Sequence, residues 1–148
     1  MAPAKIILLV LRLALGGIFI YAGALKIVDA QNFARAVHHF QLTPRAVSVL
    51  IAVYLPWLEV FAGLAVSVRR LALGASLALV VMSAAFLIAL STAWARGLDI
   101  SCGCFGKEEH RIQTHFPQLF LRDAALLAAA ITVFIAEFRG ASRSDTGR

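Results

Sequence analysis

The sequence predicts an all-α membrane protein: a bundle of four spanning helices with both termini on one side of the bilayer. Three observations predict it. Of the 148 residues, 61% are hydrophobic, against nearer about half in an ordinary soluble domain, and the mean hydropathy is +0.84. Four runs, 6–25, 46–68, 71–95 and 119–138, each supply the roughly 20 apolar residues that cross a hydrocarbon core. Each run must be helical, because hydrocarbon offers backbone amides no partner outside the segment. An even number of crossings returns the chain to its starting side, and residues 1–138 read as a single domain.

The first run resembles a secretory signal, with Lys5, an apolar stretch and Ala22-Gly23-Ala24. It is too long for the apolar region of such a signal and carries Arg12 inside it, so it is expected to remain as the first span. Arg12, Gly16, Phe19, Gly23 and Lys26 follow one another at spacings of four and three, which at 3.6 residues per turn sets all five on one stripe. Two cations and two glycines on one stripe should face neighbouring helices, where backbones can approach closely and charges find partners. The second span answers with Pro56, Glu59 and Gly63 near one face, and Pro56 leaves the Ala52 carbonyl without its helical donor.

Depth suggests a partner for each buried charge. Arg12 lies roughly 9 Å from the termini's side of the membrane and Glu59 roughly 13 Å, at 1.5 Å per residue. A pair between them avoids several kcal/mol of uncompensated burial, on the order expected for lone charges. Such a pair serves equally as a fastener between helices or as a proton or solute site. On the opposite side, Lys26 closes the first span, Asp29 follows it, and Arg122-Asp123 opens the apolar part of the fourth, where a helix N-terminus favours a carboxylate. A Lys26–Asp123 bridge is one reading; a polar floor beneath the third loop, with Lys26 or Arg122 stabilising a thiolate, is the other.

Between the first two spans, Phe33, Val37 and Phe40 recur at helical spacing with Gln31, Arg35 and His38 on other faces. The pattern predicts a short helix in the headgroup layer that ends before Pro44. The tail 139–148 is polar and contains Gly and Ser, and is expected to be disordered.

Orientation rests on charge. Lys5, Arg69, Arg70, Arg139, Arg143 and Arg148 share the side of the termini; Lys26, Arg35, Arg45, Arg96, Lys107, Arg111 and Arg122 share the other. Lys26 and Arg122 sit at helix ends where the bundle can bury them, and Arg69-Arg70 occupies a tight turn whose charges resist translocation. The termini are therefore expected in the cytoplasm. The net charge of +6 then needs no partner beyond the acidic headgroups of the lipid bilayer, and nucleic acid is not implied.

Both cysteines of the chain lie in the third loop, as Cys102-Gly103-Cys104-Phe105-Gly106. With the termini in the cytoplasm this loop faces the periplasm or cell exterior, where disulfides persist. A bridge between residues i and i+2 closes so small a ring that it would be strained and readily exchanged, and Gly103 permits the backbone angles it needs. A static clip of the loop, inert thiols, or a metal site with His110 and His115 are the other readings. For zinc, one intervening residue is tighter than the usual spacing, so no metal is assigned. No phosphate-binding loop, dinucleotide-binding glycine pattern or nucleophile elbow is present.

Taken together, Arg12, the Gly23-Ala24-Leu25-Lys26-Ile27 end of the first span, Pro56-Trp57-Leu58-Glu59, Cys102-Gly103-Cys104-Phe105-Gly106 and Arg122-Asp123 resemble the MauE branch of the DoxX-like four-helix membrane proteins. The likeness spans about Arg12 to Phe138, the cysteine string with its downstream Arg-Asp being the most specific part. It implies an inner-membrane accessory protein of methylamine utilisation that helps process, export or mature the disulfide-rich small subunit of periplasmic methylamine dehydrogenase, and that does not itself oxidise methylamine. On this reading Cys102 and Cys104 form a thiol–disulfide exchange centre acting on a periplasmic client or a thioredoxin-like partner. Arg12, Lys26, Glu59, Arg122 and Asp123 supply a supporting polar pocket, with Glu59 or Asp123 relaying protons. A membrane quinone would be a well-placed electron acceptor for a dithiol in the headgroup layer, although no quinone site is readable in the sequence. Two other classes fit the composition: a small-solute or lipid carrier using the Arg12 and Glu59 face, and a non-catalytic subunit of a membrane complex. Glycine-lined faces would also allow a homodimer.

Overall fold

A computed structural model describes residues 3–39, 44–97 and 112–145. Its described residues form five helices: α1 (Pro3–Val28), α2 (Ala30–His39), α3 (Arg45–Ser67), α4 (Ala72–Ala95) and α5 (Ile112–Asp145). Four segments are long and apolar enough to cross a membrane: Ile6–Val28, Ala46–Ser67, Ala72–Ala95 and Pro117–Gly140. These are the four spans expected from the sequence. α5 differs at both ends, starting before residue 119 and continuing through Arg139 to Asp145. The tail expected to be disordered is thus helical as far as Asp145. Hydropathy marks where a helix leaves hydrocarbon, whereas the backbone bonds that sustain it continue into the polar layer.

The long helices pack as a ring: α1 on α3, α3 on α4, α4 on α5, and α5 back on α1 by the sparsest of the four contacts. Leu15, Phe19, Ala62, Val66, Ala75, Leu79, Ala130 and Val133 form the buried core. Large apolar side chains cover the outside, among them Ile7, Phe61, Ile88 and Leu121, the last 72% exposed. So much apolar surface is costly in water but suits a lipid-facing bundle.

The stripe on α1 faces α3, as its glycines require. A Cβ on Gly16 would stand 2.6 Å from the Gly63 carbonyl oxygen, one on Gly63 would stand 2.7 Å from that of Gly16, and one on Gly23 would stand 2.7 Å from that of Pro56. The two antiparallel backbones are therefore in direct contact over two turns or more, which is open only to glycine at these positions. α3 turns into α4 through Val68–Leu71, closed by hydrogen bonds from Val68 N to the Ala65 carbonyl (3.1 Å) and from Leu71 N to the Val68 carbonyl (3.0 Å). Arg69 and Arg70 project from this tight turn.

α2 is the expected short amphipathic helix. It buries Phe33 and Ala36, exposes Gln31, Arg35 and His38, and packs mainly against α3. Asp29 makes the bend from α1: its carbonyl accepts from Phe33 N (3.1 Å), and its carboxylate accepts from Asn32 Nδ2 (2.7 Å). Phe40 lies outside the described residues.

Candidate functional site

The buried charges pair differently from the sequence expectation. Arg12, 6% exposed, does not meet Glu59. Its Nε and Nη2 donate to the Val66 carbonyl at 3.0 and 2.8 Å, Nη2 also donates to that of Ser67 at 3.2 Å, and Nη1 donates to Glu137 Oε1 at 3.1 Å. The last carbonyls of a helix have no intrahelical donor, and they form the negative end of its dipole. Arg12 therefore closes the C-terminus of α3 and ties it to α5.

Side-chain direction explains the correction. In every helix the Cα–Cβ bonds tilt toward the N-terminus. Arg12 thus reaches outward, toward the start of α1 and the end of antiparallel α3, while Glu59 reaches inward along α3 toward the level of Gly23 and beyond. Comparing Cα depths alone brings the two together wrongly. Glu137 was absent from the expected site, although it is one of three acidic residues in the spans and stands at the end of the fourth, level with the start of the first.

Glu59 pairs instead with Lys26, whose Nζ donates to Oε1 at 2.5 Å. Both side chains are more than nine-tenths buried, with 6% and 8% exposure. Lys26 therefore does not bridge to Asp123, the alternative drawn from the sequence. Its ammonium also lies 5.4 Å from the centre of the Phe33 ring on α2, a cation–π contact that closes the outer side of the pair. Arg122 Nε and Asp123 Oδ1 are 3.1 Å apart on α5.

These two ion pairs share one cleft. It is lined by Phe19, Ala22 and Lys26 of α1, Leu55 and Glu59 of α3, Met82, Ser83 and Phe86 of α4, and Arg122, Asp123 and Leu126 of α5, with Ile18 at the edge. All four long helices contribute: the charged groups come from α1, α3 and α5, and Ser83 from α4. The enclosed part of the cleft measures about 60 Å³, room for a few water molecules, and the rest of it is open at the mouth. Among the described residues, Glu59 Oε2 and Ser83 Oγ are buried with no hydrogen-bond partner. Lys26, Glu59, Arg122 and Asp123 are thus brought together as the sequence suggested, whereas Arg12 stands at the other end of the bundle. Ser83 was missed, since a serine within an apolar run carries no distinguishing signal.

Cys102, Cys104, Lys107 and His110 lie outside the described residues, as does the side chain of His115. In the sequence they fall between α4 and α5. Among the described residues no cluster of His, Cys, Asp or Glu converges as metal ligands would.

The sequence model of the family described as "Methylamine utilisation protein MauE" matches residues 4–136. The chain belongs to the MauE family. A curated member, the methylamine utilization protein MauE of Paracoccus denitrificans, is 29% identical over 128 residues, covering 86% of this chain and 68% of the relative. The MauE match takes in every residue of the cleft and both cysteines. No solved structure matches the chain.

Proposed function

We propose that this MauE-family protein is a multi-pass protein of the bacterial inner membrane that serves methylamine utilisation as an accessory. Cys102 and Cys104 exchange a disulfide with a periplasmic client, such as the small subunit of methylamine dehydrogenase, during its maturation or export. The observation that carries this reading is the family match, which runs through both cysteines in a chain that has no other thiol. A client thiolate attacks one sulfur of the Cys102–Cys104 disulfide and forms a mixed disulfide, and a second client thiolate then displaces it. The client leaves oxidised and the pair remains as a dithiol, which a two-electron acceptor must reoxidise.

The test is mixed-disulfide trapping. With Cys104→Ser, the remaining thiol should capture the client in a covalent adduct that thiol reductants release and mass spectrometry identifies. Absence of any adduct in oxidised membranes containing the client would remove the exchange reading. A solute carrier would instead keep full activity when both cysteines are replaced by serine.

A further inference from the structure

We propose that the cleft between the two ion pairs binds the ring of a lipid-soluble quinone. The proposal rests on the exchange reading for its role, but the site itself stands on geometry independent of the cysteines.

The unmet hydrogen-bonding capacity defines the ligand. Glu59 spends Oε1 on Lys26 and leaves Oε2 buried without a donor, while Ser83 Oγ, on the facing α4, is buried without a partner among the described residues. A buried polar group left without a partner loses its hydration uncompensated. A ligand that relieves both must offer an O–H or N–H to the carboxylate and an oxygen to the hydroxyl. A quinol does both within one ring, one hydroxyl donating to the carboxylate and the other oxygen accepting from Ser83, and the quinone form keeps the second contact through its C=O.

The remaining walls suit a ring rather than an ion. Phe19, Met82, Phe86, Leu55 and Leu126 present aromatic, thioether and aliphatic surface, which packs favourably on a flat ring. The polar groups form two opposite-charge pairs, so the site carries no net charge with which to hold a free ion. Access also favours a molecule dissolved in lipid. α1 and α5 make the sparsest contact in the ring, and the Arg12–Glu137 pair that ties them lies at the far end. At the cleft, the edge residue Ile18 is 40% exposed and the Arg122 side chain 29% exposed. A tail could lie along that apolar seam with the ring in the cleft.

The chemistry balances. Oxidation of the Cys102–Cys104 dithiol forms one S–S bond and releases two electrons and two protons; the quinone takes up both and its two carbonyls become hydroxyls. Glu59 would then be a positioning group whose free oxygen accepts a hydrogen bond from a quinol hydroxyl once the ring has been reduced.

The test uses the full chain in nanodiscs of quinone-free phospholipid, carrying Cys102→Ser and Cys104→Ser so that binding is measured apart from exchange. Decylubiquinone should bind saturably, and an azidoquinone analogue should photolabel α4 or α1 near Ser83 or Phe19. Ser83→Ala should weaken binding of decylubiquinone, and Glu59→Gln that of decylubiquinol, each by roughly tenfold, the effect of one hydrogen bond to a buried group. Ser76→Ala, at another buried serine of α4 whose hydroxyl already donates to the Leu73 carbonyl, should leave it unchanged. Binding that does not saturate, that decanol displaces equally well, or that survives both cleft substitutions would overturn the site. Saturable binding alongside a failed trapping experiment would leave the site standing and remove the exchange reading instead.

Discussion

Arg12 offers the sharpest check on the arrangement, because the sequence and the structure assign it different partners. Replacing Arg12 with Leu removes three donations to the C-terminal carbonyls of α3 and one to Glu137. Breaking a buried pair by removing one member costs about 3–5 kcal/mol. The lower end is expected, since Glu137 is 17% exposed and can recover some hydration once unpaired. The informative quantity is the coupling. In a double-mutant cycle, Arg12→Leu with Glu137→Leu should show an interaction energy of about 1–3 kcal/mol, whereas Arg12→Leu with Glu59→Leu should be additive within about 0.5 kcal/mol. Stability is read from loss of helical circular dichroism during denaturation in mixed micelles. Coupling to Glu59 with none to Glu137 would refute both the pairing and the side-chain-direction argument behind it.

Two further outcomes follow from the same geometry. Lys26→Met should destabilise by about 3 kcal/mol or more by leaving the Glu59 carboxylate alone in the bundle, and adding Glu59→Gln should recover at least half of that loss in the same denaturation assay. Gly16→Ala and Gly63→Ala should each cost about 1–3 kcal/mol, since their Cβ atoms would press on backbone oxygen; Gly74→Ala in α4, with nothing within 4 Å of its Cβ position, should be neutral or stabilising by up to about 1 kcal/mol.

What the sequence disclosed follows the range of the physics involved. Hydropathy over some twenty residues averages out local detail, so the four spans were legible. The α1 stripe was legible as well, because helical periodicity is a short-range property that glycine and charge report directly. Partner choice was not. Whether Lys26 meets Glu59 or Asp123 depends on the register and rotation of helices far apart in sequence, and on a side-chain tilt that shifts each charge by about a turn from its Cα. Glu137 escaped notice for the same reason: its value becomes visible only when α5 is laid against the start of α1. Ser83 could not be found at all, for its interest lies in what fails to surround it.

The two ends of the bundle solve the problem of buried charge in opposite ways, and that contrast separates fastening from function. At the Arg12 end the guanidinium meets two backbone carbonyls and a carboxylate, all of which needed a partner, so the arrangement is complete and has nothing left to bind. At the Lys26 end a single close contact satisfies one oxygen of Glu59 and leaves the other bare, and Ser83 Oγ in the same open-mouthed cleft is bare as well. A helix bundle under pressure for stability alone would have filled that space with apolar side chains or closed the second oxygen with another donor, either of which stabilises more than an incomplete network. Local rules are broken where something else is gained, and here the breach falls in a cleft to which all four spanning helices contribute.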